Sequence, residues 1–118
     1  DVDGFLIAAH PFRGFLVFNA SHIGLTVEKA MQRSAYKQVH ALESMNGKVT
    51  QKENLFAGKV AEGLGLPATG GSDAHEISGV GQYATRFKRP IRNERELVEA
   101  LKGGEYLPCA FRKEGGFK

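Results

Sequence analysis

Phe5-Leu6-Ile7-Ala8-Ala9 is an unbroken apolar run without the alternation of a half-solvated strand, and it predicts a strand covered on both faces. Beyond it the period lengthens. Thr26 offers a cap to a helix running to about Lys37, on which Val27, Ala30, Met31 and Ala35 form a loose apolar stripe. Val39 to Met45 predicts a second strand, closed by the turn signal Asn46-Gly47. Thr50-Gln51-Lys52-Glu53 is a capping box, and the helix behind it places Phe56, Val60 and Leu64 on one face and stops at Gly63 or Gly65. Leu66 to Gly70 predicts a third strand. Gln82 to Lys88 predicts a fourth, with Tyr83, Thr85 and Phe87 on one side. Asn93-Glu94-Arg95-Glu96 starts a further capped helix that buries Leu97, Val98 and Leu101 and ends at Gly103-Gly104; Glu105 to Pro108 adds a short last strand.

Strands alternating with helices predict an α/β fold with a largely parallel sheet. At 118 residues the chain is long enough for one domain, read as residues 1–108, followed by a tail over 109–118 that is expected to be mobile from Arg112 on. No apolar run approaches the ~20 residues of a membrane-spanning helix. Cys109 stands alone, so no intrachain disulfide forms and a reducing, cytoplasmic setting is expected. The chain opens on Asp1 without a methionine and enters a strand within a few residues, which leads us to expect a piece of something longer.

The formal charge of +3 and the pI near 9.1 are mildly basic. Arg86, Lys88, Arg89 and Arg92 concentrate positive charge late in the chain, which would suit a phosphorylated or nucleic-acid partner. Arg86 and Lys88 lie two apart, however, as on the solvent face of a protected strand. No arrangement of aromatics interleaved with basic residues supports single-strand stacking, so nucleic acid is the less favoured partner.

The predicted strands deliver chemistry to one rim. The first ends in His10-Pro11-Phe12-Arg13, the second carries Glu43 and Asn46, and the third delivers Ser72, Asp73 and His75. A parallel sheet gathers such residues at its carboxyl edge, where open α/β folds place their sites. Two imidazoles, two carboxylates and a guanidinium suit a divalent metal such as Zn, Mn or Fe together with an anion. A structural zinc knuckle would need several cysteines. Cys109 lies far from the rim, Ser72 lacks a nucleophile elbow, and Gly79-Val80-Gly81 is too incomplete for a dinucleotide loop. His22 falls in a loop-like stretch and His40 at the far end of the second strand, so both read as ordinary packed or solvated histidines.

In their order, Ala9-His10-Pro11-Phe12-Arg13, Leu42-Glu43-Ser44-Met45-Asn46-Gly47 and Gly70-Gly71-Ser72-Asp73-Ala74-His75 resemble PHP domains, the polymerase and histidinol phosphatase family of metal-dependent phosphoesterases. The resemblance runs from about Gly4 to Pro108. It implies a distorted, TIM-like barrel of mostly parallel strands around two or three metal ions, of which this chain is the C-terminal part. It implies that His10, Asp73 and His75 are metal ligands, Asp73 and His75 being also catalytic. It further implies that Arg13 and Ser72 receive the substrate phosphate, and that Glu43 and Asn46 stand behind the ligands or line the pocket.

The family's opening His-x-His or His-x-Asp strand and its bridging acid have no counterpart here, which leaves three of the usual ligands. The expectation is therefore the C-terminal part of a phosphoesterase acting on a small phosphorylated substrate or nucleotide through metal-activated water. These residues alone are expected to be inactive and to hold one ion or none. The alternative is a non-catalytic relative that serves as a binding or assembly module. Unpaired sheet edges would favour self-association or swapping.

Overall fold

In the computed structural model, residues 3–14, 25–112 and 116–117 are described, and His22 lies outside them. The elements are β1 (Ile7–Ala8), α1 (Val27–Met31), a 3-10 turn at Ser34–Lys37, β2 (Ala41–Asn46), α2 (Gln51–Leu64) and β3 (Ala68–Gly71). A 3-10 turn at Ile77–Gly79, β4 (Tyr83–Phe87), α3 (Glu94–Gly103), β5 (Tyr106–Arg112) and β6 (Gly116–Phe117) complete them.

The first three strands form a parallel sheet in the order β1-β2-β3, with Ile7 opposite Ala41 and Leu42 opposite Ala68. The mostly parallel layout holds only to this point. β4, β5 and β6 form a second sheet that is antiparallel, with Thr85 opposite Pro108. The alternation of Tyr83, Thr85 and Phe87 is the reason: these are half-buried while Arg86 and Lys88 are exposed, so the strand has one wet face. Among the described residues no closed barrel forms; the two open sheets replace the expected TIM-like one.

Three more expectations change in detail. The helix foreseen to Lys37 breaks after Met31, because Arg33 is extended and the 3-10 turn that follows buries Tyr36 and leaves Ala35 exposed. Leu97 on α3 is 37% exposed rather than buried, and Ala100 takes its place beside Leu101. β5 passes Pro108 and reaches Arg112, where Phe111 and Arg112 pair with Phe117 and Gly116, so part of the foreseen tail is strand. Residues 113–115 and 118 lie outside the described residues.

The signals of the two longer helices, α2 and α3, are realised. Thr50 and Glu53 close a reciprocal capping box on α2, Gly65 ends that helix at φ 66°, and Asn93 caps α3 by accepting from the Glu96 N–H. α2 packs Ala57, Val60 and Ala61 with Leu42 of β2, Ala30 of α1, Tyr36 and Phe12 into one core. Phe12 anchors the loop after β1: it is 3% exposed, its ring edge-on to Phe56 at 4.7 Å between centroids and tilted against Tyr36 at 6.0 Å. No helix among the described residues is long and apolar enough to cross a membrane.

Candidate functional site

Each rim residue owes its place to a local backbone device. After β1, His10-Pro11-Phe12-Arg13 folds as a turn in which the Arg13 N–H donates to the His10 carbonyl at 3.0 Å. With Phe12 sunk in the core, His10 and Arg13 on either side of it stay at the rim. His10 has φ 31° and Asp73 φ 49°, the two non-glycine residues among those described with positive φ. Left-handed backbone is uncommon for side chains other than Asn, Asp and His, and such strained conformations cluster where function holds them.

β2 brings Glu43 and Asn46 together by a bulge. In a regular strand residues three apart face opposite sides. Here the pairing with β3 shifts between Glu43 and Met45, leaving Ser44 as the extra residue, and both side chains turn the same way. The Asn46 Nδ2 donates to Glu43 Oε2 at 3.0 Å, and the His10 backbone N–H donates to the same oxygen at 2.7 Å. One carboxylate thus ties the end of β2 to the strained turn after β1. Its other oxygen lies 2.5 Å from where a Cβ on Gly71 would stand, so a side chain there would have to push the Glu43 carboxylate aside.

α2 holds the other side of Asn46. Asn54 accepts from the Asn46 backbone N–H through Oδ1 at 2.9 Å and donates through Nδ2 to the Asn46 carbonyl at 3.0 Å. Lys48 closes the turn by donating its N–H to Asn46 Oδ1 at 2.8 Å. Asn46 is 1% exposed and Asn54 7%, so this is a buried polar junction with its partners in place. The Ser72 carbonyl packs against the same turn, 2.4 Å from the place a Cβ on Gly47 would take.

Beyond β3, Asp73 Oδ2 accepts from the Arg13 guanidinium at 2.9 Å, joining the loops after β1 and β3. His75 turns back on the same loop, its Nδ1 2.8 Å from the Asp73 carbonyl oxygen. A carbonyl only accepts, so Nδ1 is the donor in this contact and Nε2 is the ring nitrogen left outside it. His40, by contrast, sits at the foot of β2. Its Nδ1 accepts from the Leu6 N–H at 2.8 Å and its ring lies 5.0 Å from that of Phe5, a structural role away from the rim.

The seven rim residues read from the sequence thus fall into two linked groups: His10 with Glu43 and Asn46, and Arg13 with Asp73 and His75, while Ser72 backs the turn after β2. Sequence reasoning missed Asn54 and the close approaches at Gly47 and Gly71. A polar Asn four residues into a capped helix reads as solvent face, and only the bulge in β2 turns it into a brace. Among the described residues no three of His, Cys, Asp and Glu gather into a group that could hold a metal ion. His10, Asp73 and His75 therefore do not make a metal cage by themselves.

An α/β scaffold with a polar rim at the carboxyl ends of parallel strands is the class this geometry defines. Residues 51–106, just under half the chain, match the family model described as PHP-associated. The match is consistent with a C-terminal PHP-associated region and suggests a relation to the PHP phosphoesterases. It takes in α2, β3, the Asp73–His75 loop, β4 and α3, and it stops short of His10, Arg13, Glu43 and Asn46. No curated protein and no solved structure matches the chain.

Proposed function

We propose that the chain forms one wall of a metal-dependent phosphoesterase site, acting on a small phosphorylated substrate or nucleotide. The observation that carries this reading is the rim cluster of Arg13, Asp73 and His75, two of whose members lie inside the PHP-associated segment. Zn, Mn or Fe, when bound, would supply a polarised phosphoryl oxygen and an activated water. His10, Asp73 and His75 would be this chain's contribution to holding it, although among the described residues they do not gather into a group that could hold an ion alone. His75 has its Nδ1 held by the Asp73 carbonyl and is exposed, which would suit its Nε2 to ligate or to move a proton to a leaving group. The planar fork of Arg13 matches two phosphate oxygens, and Ser72 would add a hydroxyl. Glu43 acts by fixing the His10 backbone.

Metal content by elemental analysis of the natural chain, paired with hydrolysis of p-nitrophenyl phosphate and its bis ester, tests the proposal. Stoichiometric metal and hydrolysis are expected. Asp73→Asn should reduce both sharply, while Arg13→Ala should mainly raise KM with metal retained. Unaltered metal and turnover in Asp73→Asn would sink the rim assignment. The second reading, a non-catalytic binding or assembly module, is favoured by the incomplete ligand group among the described residues. A natural chain with neither metal nor hydrolysis would establish it over the first.

A further inference from the structure

Away from the rim, a groove of about 310 Å³ lies between the bulge of β2 and α2. Ser44 and Met45 line it from the strand, and Leu55, Gly58, Lys59 and Glu62 from the helix. We propose that this groove binds a small zwitterion, an α-amino acid with an aliphatic side chain. It shares no residue with the rim, so it stands whatever the rim binds.

Ser44 is the extra residue of the bulge and is 7% exposed, yet among the described residues its hydroxyl makes no hydrogen bond. A buried hydroxyl without a partner is costly, and the groove is where this one can find a partner. Gly58 sits inside α2, where glycine weakens a helix relative to alanine. Packing does not ask for it: a Cβ there would meet only the Ser44 Cβ, at 3.9 Å, an ordinary contact. At Gly63, by contrast, a Cβ would strike the Met31 sulfur at 2.6 Å, so that glycine is explained within the fold. The bare Gly58 keeps the groove open opposite Ser44.

The charges choose the ligand. Lys59 and Glu62 are neighbours on the surface of α2, with about 5–6 Å between Cβ atoms at such positions. Among the described residues neither forms an ion pair, with the other or with any other side chain. A lining that carries both signs favours a ligand with both signs over a plain anion or cation. An α-amino acid brings ammonium and carboxylate on one carbon, within reach of both flexible side chains. Its own side chain then covers Met45 and Leu55, the latter 57% exposed. The volume is at the lower end for small-molecule sites and suits a single amino acid better than a peptide.

A ¹⁵N–¹H NMR titration of the natural chain with L-leucine tests this. The amides of Ser44, Met45, Gly58 and Lys59 should shift saturably, with an affinity of about 0.1–1 mM, while those of Arg13, Asp73 and His75 stay in place. Leucinamide, which lacks the carboxylate, and isocaproate, which lacks the ammonium, should each bind roughly two- to fivefold more weakly. Gly58→Ala separates the groove from the fold. Its urea midpoint should rise, because alanine strengthens the helix, while leucine affinity falls roughly tenfold or more as the Cβ fills the floor. No saturable shift at the groove, or shifts confined to the rim, would overturn the site, as would undiminished leucine affinity in Gly58→Ala. Equal binding of leucine, leucinamide and isocaproate would overturn the zwitterion.

Discussion

Asn54 is the residue whose loss should be felt farthest from where it sits. Truncation to alanine leaves the Asn46 N–H and carbonyl without partners at a position 1% exposed. Each buried backbone group left unpaired costs about 1–3 kcal/mol, so Asn54→Ala should lose about 3–4 kcal/mol. For a chain of this size that is a fall in Tm of roughly 12–16 °C. Urea unfolding followed by circular dichroism reads it directly, as a lower midpoint at unchanged slope. Asn54→Asp separates hydrogen bonding from shape. It keeps the acceptor for the Asn46 N–H but sets an oxygen against the Asn46 carbonyl, so it should be at least as damaging as alanine. The effect should also reach the rim, because Asn46 steadies Glu43 and Glu43 steadies His10. The His10 amide should exchange faster in both variants. A loss below about 1 kcal/mol in Asn54→Ala would refute the reasoning, for it would mean that water satisfies Asn46 as well as Asn54 does.

Three further outcomes are expected. Gly70→Ala puts a Cβ 2.4 Å from the Ala84 carbonyl oxygen and 3.4 Å from Pro108 Cα. Backbone cannot swing aside, so the loss should be about 3 kcal/mol by urea unfolding. Gly71→Ala instead meets the far end of the Glu43 side chain, which can move; stability should drop by only about 1 kcal/mol while the His10 amide loses its protection from exchange. Tyr106→Phe removes a buried hydroxyl without a hydrogen-bond partner and should be neutral or stabilising by up to about 1 kcal/mol. Burial raises the Tyr106 phenol above its usual value of 10.0, so the folded state keeps the proton longer than the unfolded one. Its contribution is whole below pH 10 and is lost as pH rises through the folded value. Urea midpoints between about pH 8 and 11 should therefore fall less steeply in Tyr106→Phe than in the parent.

Where one residue decides the local structure, the sequence was easy to read. The Thr50-Glu53 box, the Asn93 cap and the helix stops at Gly65 and Gly104 are set by short-range hydrogen bonds and backbone sterics, which need no knowledge of the rest of the chain. The rim residues were legible for a related reason: strand ends attract polar groups, and Asp73 and Arg13 do meet there. The direction of β4 was harder. Its period-two pattern carried the information, since a strand with Arg86 and Lys88 in water does not belong in the middle of a covered parallel sheet. The role of Asn54 could not be read, because it depends on a bulge one element away. Tyr36 was passed over because the apolar spacing around it favoured a continuous helix, whereas packing on Phe12 outweighed that preference.

The Thr85 hydroxyl donates to the Gly70 carbonyl at 2.8 Å and accepts the Gly70 N–H at 3.0 Å, the two bonds that a peptide group in an adjoining strand would make. A single side chain thus imitates a rung of backbone where the two sheets meet. Such a seam is a fault line: across it the strands are joined by the Thr85 bonds and by packing of Gly70 on Ala84 and Pro108 rather than by a backbone ladder, while the ladders on either side stay whole. Opening should then proceed in two cooperative units divided between β3 and β4. The Asp73–His75 loop crosses that line, and Arg13 reaches over from the far block to grip it. The Arg13–Asp73 pair therefore works as a clasp, and its opening loosens the join between the two blocks.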